Sequence, residues 1–570
     1  MQIDWDVEIT MDDGVVLRAD VYRPDEAGRY PALMSYGPYG KGLSFAEGYP
    51  AQWQSLTAEH PEILRGSSGK YANWETADPE RWVPFGYVCI RVDSRGAGRS
   101  PGVIDCFSPR EAQDFHDCIE WAAQQPWSNG KIGLAGVSYY GATQWLAAAR
   151  RPPHLAAICP FEGFSDYYRD ACRHGGILNT FMLSWYPKQV ENVQNGLGSR
   201  GRVNANTGVP ISGPAELSDE ALRANRVDIS TAQLNAELIT DRYFDGRRAD
   251  LAAIEVPVLS CGNWGGHGLH LRGNVQGFLQ AGSKQKWLEL HGREHWTEFY
   301  TDYGVALQKR FFDHFLKGED NGWDRQPPIT MQVRHVDRFQ ERHEHEWPLA
   351  RTVWTPMYLD AADHGLRPEP AATASHLAFD GMAGKASFST APFEQDTEVT
   401  GPLAATLWIS STAADADLFL TVRAFAPDGT EHLIVGAVEP NAPLAQGWLR
   451  ASHRKLDPQA STPYQPVHSH QEIQLLEPNV VYALEVEIWP MCFVFPKGYR
   501  LVLTVGSSDF EHDLPGPYPQ IYGKSMRGSS VLLHDHPEDR TAERFAGQTT
   551  VHTGGKFASF LLLPVIPPAC

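Results

Sequence analysis

The sequence predicts an α/β fold, with a helix-covered parallel sheet interrupted by an inserted helical cap and followed by a C-terminal all-β domain. Three observations lead there. Between residues 86 and 161, continuous apolar runs alternate with stretches of helical periodicity. From 165 to 250 that alternation gives way to polar, helix-like sequence, and it resumes at Val256. Beyond about residue 350 only short alternating runs between turn signals remain, as expected for two sheets burying each other in a sandwich or jelly roll. The boundaries drawn are 1–164 and 251–350 for the two parts of the α/β domain, 165–250 for the cap and 351–570 for the β domain.

Local chemistry supports each element. VEITM and VVLRADVYRP flank the turn Asp12-Asp13-Gly14, and YPALMSY adds a third strand. YVCIRVD is apolar enough to be buried on both faces, and the turn-rich SRGAGRSPG follows it. Ser108-Pro109-Arg110-Glu111 combines an N-cap, Pro at N1 and an acid at N3, ahead of Phe115, Cys118, Ile119 and Ala122 at helical spacing. KIGLAG, SYYGATQWLAAAR and HLAAICPF then give strand, helix and strand. In the cap, Ser218 and Thr231 are expected to start helices. VPVLS, KWLEL and a helix around Tyr303 to Leu316 complete the α/β pattern. AATLWIS, DLFLTVRAF, VVYALEVEIW, YRLVLTVGSS and FASFLLLPV are the strands expected in the β domain.

The 570 residues are 42% hydrophobic and 21% charged, enough for more than one buried core. Forty-nine basic against 69 acidic residues give a formal charge of -20, which disfavours nucleic acid or an anionic membrane as partner. Eight scattered cysteines form no CxxC pair, so neither a zinc knuckle nor a disulfide framework is expected. The opening MQIDWDVEITMDDG lacks the basic and apolar regions of a leader, and no run of eighteen apolar residues occurs, so the expected location is cytoplasmic.

The chemistry centres on GLAGVSYYG. A serine between a buried strand and a helix, flanked by small residues that permit a strained turn, exposes its oxygen and sets the next residue's N–H as an oxyanion donor. Ser138 stands there, between Gly136 and Gly141, with Tyr140 where the commonest form of the motif has glycine. A nucleophilic serine needs a base from a later strand. KWLEL is followed by His291 and His295, and His295, farther out on the loop, is the better placed. The loop after VPVLSCGNW, where the orienting acid is expected, holds no carboxylate. Glu162, at the end of HLAAICPF beside the nucleophile strand, is therefore assigned as the acid, with Asp166, Glu289, Glu294 and Asp302 as substitutes. The histidines lack metal-ligand spacing, and Gly96-Ala97-Gly98 lacks the third glycine and acid of a dinucleotide site, so no metal or cofactor is expected.

The segments MDDGVVLRADVYRP, YGPYGKG, RVDSRGAGRSPG, GVSYYG, GWLRASHR and FPKGYRLVLTVGSSDF are spread over the whole chain. Together they resemble the cocaine esterase, X-prolyl dipeptidyl aminopeptidase and alpha-amino acid ester hydrolase family of serine hydrolases. The resemblance implies an alpha/beta-hydrolase core, a helical cap and a C-terminal jelly roll. It places the nucleophile on Ser138, the base on His295, and the oxyanion hole on the Tyr39 hydroxyl with the Tyr139 backbone N–H. The family's aspartate in Gly-Trp-x-Asp falls on Gly266 here, so the acid has moved, with Glu162 the candidate, or His267 or a water fills the gap. The segment Glu47 to Glu75 resembles an insertion that narrows the pocket, and Tyr167, Tyr168, Trp185 and Tyr186 suggest an aromatic acyl pocket. The implied activity is hydrolysis of small-molecule carboxylic esters, or amides, through an acyl-enzyme. Acyl transfer, X-prolyl or amino-ester peptidase activity, and a catalytically decayed binding member stand as alternatives.

Overall fold

The computed structural model describes residues 1–529 and 531–568. Its first half is built on a ten-stranded sheet. The strands are β1 (Gln2–Thr10), β2 (Val16–Arg23), β3 (Tyr30–Gly37), β4 (Val88–Asp93), β5 (Ser128–Val137), β6 (Leu155–Phe161), β9 (Val258–Asn263), β10 (Lys286–His291), β11 (Ile329–Arg334) and β12 (Phe339–Glu344). The short hairpin β7 (Arg173–His174) and β8 (Ile177–Leu178) lies outside it. The sheet order is β1-β2-β4-β3-β5-β6-β9-β10-β11-β12. From β4 to β11 all neighbours run parallel, and antiparallel strands close both edges. Helices α1 (Pro109–Ala123), α2 (Tyr139–Ala149), α3 (Leu271–Gln280) and α4 (Asp302–Phe312) cover the faces.

Capping chemistry starts α1 where expected, with Ser108 Oγ accepting from the Glu111 N–H and Pro109 at N1. In the cap segment, Ser218 does cap a helix, Asp219–Ala224. The second cap is Asp228 and not Thr231, because the aspartate accepts both the Thr231 N–H and its hydroxyl. The segment is also less helical than its polar composition suggested. Apart from one helical run over 181–193, short turns, π and 3-10 pieces and the β7–β8 hairpin stand in place of long helices, and side chains from the β domain anchor them. Arg173 reaches Asp539 at 2.7 Å, and Asp539 accepts from the Leu178 N–H.

The second half is a twelve-stranded β domain running from Val353 to Ile566, a jelly roll with its own apolar core around Phe388, Leu407, Leu418, Ile488 and Leu503. A third apolar cluster joins the two halves. Trp264, Leu271, Leu288 and Met331 of the α/β domain meet Phe419, Trp448 and Trp489 of the jelly roll. An apolar contact of this kind fixes the relative placement of two domains. It also pins the loop after β9 and the start of α3. Among the described residues the seven cysteines are free and buried, and no helix is long and apolar enough to cross a membrane.

Candidate active site

Ser138 is the residue between β5 and α2, and it carries φ 59° and ψ −113°. A non-glycine residue held there stores about 1–3 kcal/mol of backbone strain, which persists only where the surroundings enforce it. They do so from three sides. The Ser138 N–H donates to Phe161 O at 3.1 Å, its carbonyl accepts from Gly141 and Ala142, and the preceding Val137 N–H donates to Glu75 O at 3.0 Å. The flanking glycines are required by close approach. A Cβ on Gly136 would lie 2.4 Å from Tyr140 Cβ, and one on Gly141 2.5 Å from Phe161 O. The second contact explains why glycine stands one place later than in the commonest motif, since it is Gly141 that faces the neighbouring strand. Ser138 is partly exposed although its neighbours on both sides are buried.

Two imidazoles occupy the site. His270, at the head of α3, places Nε2 3.1 Å from Ser138 Oγ. His295 places Nε2 2.8 Å from Glu75 Oε1, with its backbone N–H on Ala437 O of the jelly roll. The two rings are 6.2 Å apart, centre to centre. Burial disfavours charge on His295, but the bond and charge of Glu75, together with the Glu162 charge, outweigh it and hold the imidazole above its ordinary value. Glu75 is pushed up to about 7 by burial, with His295 opposing the shift. Among the described residues no carboxylate bonds His270, and burial followed by the His295 charge drives it well below the ordinary histidine value.

The structure brings Glu162 to a different histidine from the one expected. Its Oε1 lies 3.0 Å from His291 Nε2, while Glu289 Oε2 takes His291 Nδ1 at 2.7 Å. Burial works against a charged His291, yet the two carboxylates hold it up to about 10. The reason is reach: β6 and β10 end on the same sheet edge, and His291 is the last residue of β10 whereas His295 lies four residues beyond it. The carboxylate that meets His295 comes from the 47–75 segment instead. The substitutes are engaged elsewhere: Asp166 with Arg169, Glu289 with His291 and Tyr303, Glu294 with Thr297, and Asp302 with Arg65 and Arg81. His267 turns away to Pro490 O at 3.1 Å.

Tyr39 lies buried beside the elbow, its ring packed edge-on to Tyr139 and Tyr140 and its hydroxyl accepting from Trp185 Nε1 at 3.1 Å. Burial, then the Glu75 charge, raises it far above the usual phenol value, so the hydroxyl stays a protonated donor. Its loop is fixed by Asp93 at the end of β4, which accepts the Lys41 N–H at 2.6 Å and the Arg99 N–H at 2.8 Å. The Tyr139 hydroxyl is committed to Glu111 at 2.5 Å. Its backbone N–H, at the first position of α2, has no acceptor within the helix. Aromatic side chains surround the site: Trp74 stacks on Tyr49 at 4.1 Å, and Trp185 on Tyr139 at 6.0 Å. Tyr522 enters from a jelly-roll hairpin, packing on Phe181 and bonding Gln189. Tyr167 and Tyr168 pack within the cap through Tyr243 and Glu237 O.

Neither Glu75 as the partner of His295 nor His270 beside Ser138 is among the residues the sequence singled out. His270 carried a usable signal, since it follows β9 at the carboxyl edge of a parallel sheet, where functional loops gather. Glu75 carried none, because no strand or helix positions it.

Comparison with known proteins agrees with this architecture. Residues 13–351 match the model of the X-Pro dipeptidyl-peptidase (S15) family, and residues 321–562 match the X-Pro dipeptidyl-peptidase C-terminal non-catalytic domain. The chain is 26% identical to the cocaine esterase of Rhodococcus sp., over 98% of each chain. A CocE/NonD family hydrolase from Staphylococcus aureus superposes with a TM-score of 0.83 at 31% identity, covering 99% of this chain and 94% of that one. An alpha-amino acid ester hydrolase superposes with a TM-score of 0.68 at 16% identity, covering 99% and 96%, a likeness of fold.

Proposed function

The chain belongs to the X-Pro dipeptidyl-peptidase (S15) family and is a hydrolase of the serine esterase and peptidase kind, and we propose that it cleaves small carboxylic esters through an acyl-enzyme on Ser138. The observation that carries this reading is Ser138 itself: a strained serine at the carboxyl edge of the sheet, its Oγ in hydrogen-bond contact with an imidazole.

In this reading His295 is the base. With Nε2 toward the Glu75 carboxylate, the imidazole is oriented and its cation stabilised, the service an acid gives in a catalytic triad. Glu75 takes that role in place of Glu162, which serves His291. Catalytic hydrogen bonds commonly close only when substrate is bound, so the Ser138 hydroxyl proton passes to His295 in the substrate complex while Oγ keeps its contact with His270 Nε2. The Tyr39 hydroxyl, whose ring packs on Tyr139 and Tyr140, and the Tyr139 N–H receive the oxyanion in this reading. Trp74, Trp185 and Tyr522 favour an apolar or aromatic acyl group over a charged one.

The test is a panel of p-nitrophenyl esters, anilides and Xaa-Pro substrates assayed with the full chain. Burst kinetics on the esters, with slower or no release from Xaa-Pro substrates, is the expected outcome. Preferential cleavage after Xaa-Pro would overturn the ester assignment, and no turnover of any member would overturn the enzyme reading of Ser138.

A further inference from the structure

We propose that His270 is a second catalytic imidazole, a neutral Nε2–H donor that stabilises Ser138 Oγ whenever that oxygen carries negative charge; this rests on Ser138 being the nucleophile. The contact is direct, 3.1 Å from Nε2 to Oγ. The other ring nitrogen, Nδ1, is buried and meets no hydrogen-bond partner among the described residues. A buried N–H without an acceptor is costlier than a buried lone pair without a donor, so the ring proton belongs on Nε2, facing Oγ. Among the described residues no carboxylate bonds the ring, and burial with the nearby His295 charge keeps it neutral. His270 is thus equipped to donate and poorly equipped to accept.

The ring is held rigidly for this task. It stacks on Phe164 at 5.9 Å and 8°, and the next residue, Leu271, is fully buried in the cluster that joins the two domains. The loop that carries it follows β9, where the sequence lacks the expected acid.

The step balances without a further reactant. In acylation the Ser138 O–H bond breaks and its proton passes to His295 while the Oγ–carbonyl bond forms. The leaving alcohol then takes that proton. In deacylation water adds, giving its proton to His295, and Oγ departs and recovers it. His270 keeps its own proton throughout, and its bond to Oγ strengthens as charge develops, which is the difference between ground and transition state that accelerates a step.

Two substitutions test this against a base role for the same residue. His270→Phe keeps the ring stacked on Phe164 but removes the donor, and His270→Gln restores an N–H. The readout is the rate of fluorophosphonate adduct formation on Ser138 from pH 5 to 9, normalised to the folded fraction. His270→Phe is expected to slow the adduct on the order of 100-fold, with His270→Gln recovering at least about tenfold and the acid limb of the profile unmoved in both. A wild-type rate in His270→Phe would overturn the proposal. So would His270→Gln as slow as His270→Phe with the acid limb lost, which is the behaviour of a base. Absence of any adduct on Ser138 in the unsubstituted protein would overturn the nucleophile assignment first, and the role of His270 with it.

Discussion

His295 Nε2 lies 2.8 Å from Glu75 Oε1, and Glu75 O in turn accepts the Val137 N–H one residue before Ser138. One residue thus ties the candidate base to the candidate nucleophile through both its side chain and its backbone.

From this tie follows a sorting of the two buried glutamates. Glu75→Gln is expected to lower kcat/KM on a p-nitrophenyl ester at least about 100-fold with the fold intact, because the imidazole loses the anion that orients it and stabilises its cation. Glu162→Gln is expected to act mainly on stability, by about 2 kcal/mol, through the charged His291 it leaves with Glu289 alone. Steady-state kinetics and urea unfolding of both variants check the pair of outcomes. Equal losses of activity would place Glu162 in the reaction as well.

The pH profile carries a sign. Because Glu75 holds His295 above 6.5, the acid limb of kcat/KM is expected above that value, activity falling as the imidazole gains the proton it must accept. Removing the anion in Glu75→Gln lets the imidazole pKa fall, so the limb moves to lower pH while the plateau drops. A limb that stays in place in that variant contradicts the pairing.

Tyr39→Phe removes one oxyanion donor and leaves the ring packing against Tyr139 and Tyr140. A loss of about 100- to 1,000-fold in kcat with little change in KM is expected on the ester substrates. A variant that loses KM and not kcat would make Tyr39 a wall of the pocket.

The junction of cap and jelly roll has its own acid window. Asp539 bonds Arg173 of the cap and Arg450 of the jelly roll, both fully buried, and the two guanidiniums outweigh burial to hold its carboxyl well below the ordinary range. Glu237 is held at about 2 against burial, by His453, Arg544 and Arg450. Their folded values lie below their unfolded ones of 3.8 and 4.5, so the stability they contribute is full above about pH 4.5 and lost as pH falls toward the folded values. Thermal unfolding between pH 6 and 3 is expected to show a steep fall below 4.5. Asp539→Asn is expected to cost about 3–5 kcal/mol at neutral pH, because it leaves buried Arg173 without its carboxylate and Arg450 with one bonded carboxylate, Asp417, and to soften that fall.

Much of this was legible in the sequence. The buried run before Ser138, the glycines around it and the alanine-rich helix after it specify the elbow, and the change of texture near residue 350 marks the jelly roll. The strand-end rule also points to the sheet edge where Ser138, His270, Glu162 and His291 gather. What it could not do was pair side chains there, since Glu75, Glu162 and Glu289 share that edge with three histidines, and reach alone decides which meets which. Glu75 lies 63 positions before Ser138 and is delivered by a segment without a strand, so no periodicity announces it. The aromatic surroundings were partly legible: Trp185 bonds Tyr39, Tyr167 packs one ring behind His270 and Tyr139 through Phe164 and Phe107, Tyr168 packs on Phe244 and His470, and Tyr522 arrives from a jelly-roll hairpin that only the tertiary fold brings near.

Whether Ser138 is a nucleophile served by His295 and Glu75 is decided by locating a fluorophosphonate adduct by mass spectrometry and timing its formation. A single adduct is expected on the peptide containing Ser138, absent in Ser138→Ala and formed at least about 100-fold more slowly in His295→Ala and Glu75→Gln. An adduct on another residue, or an undiminished rate in His295→Ala, would contradict it.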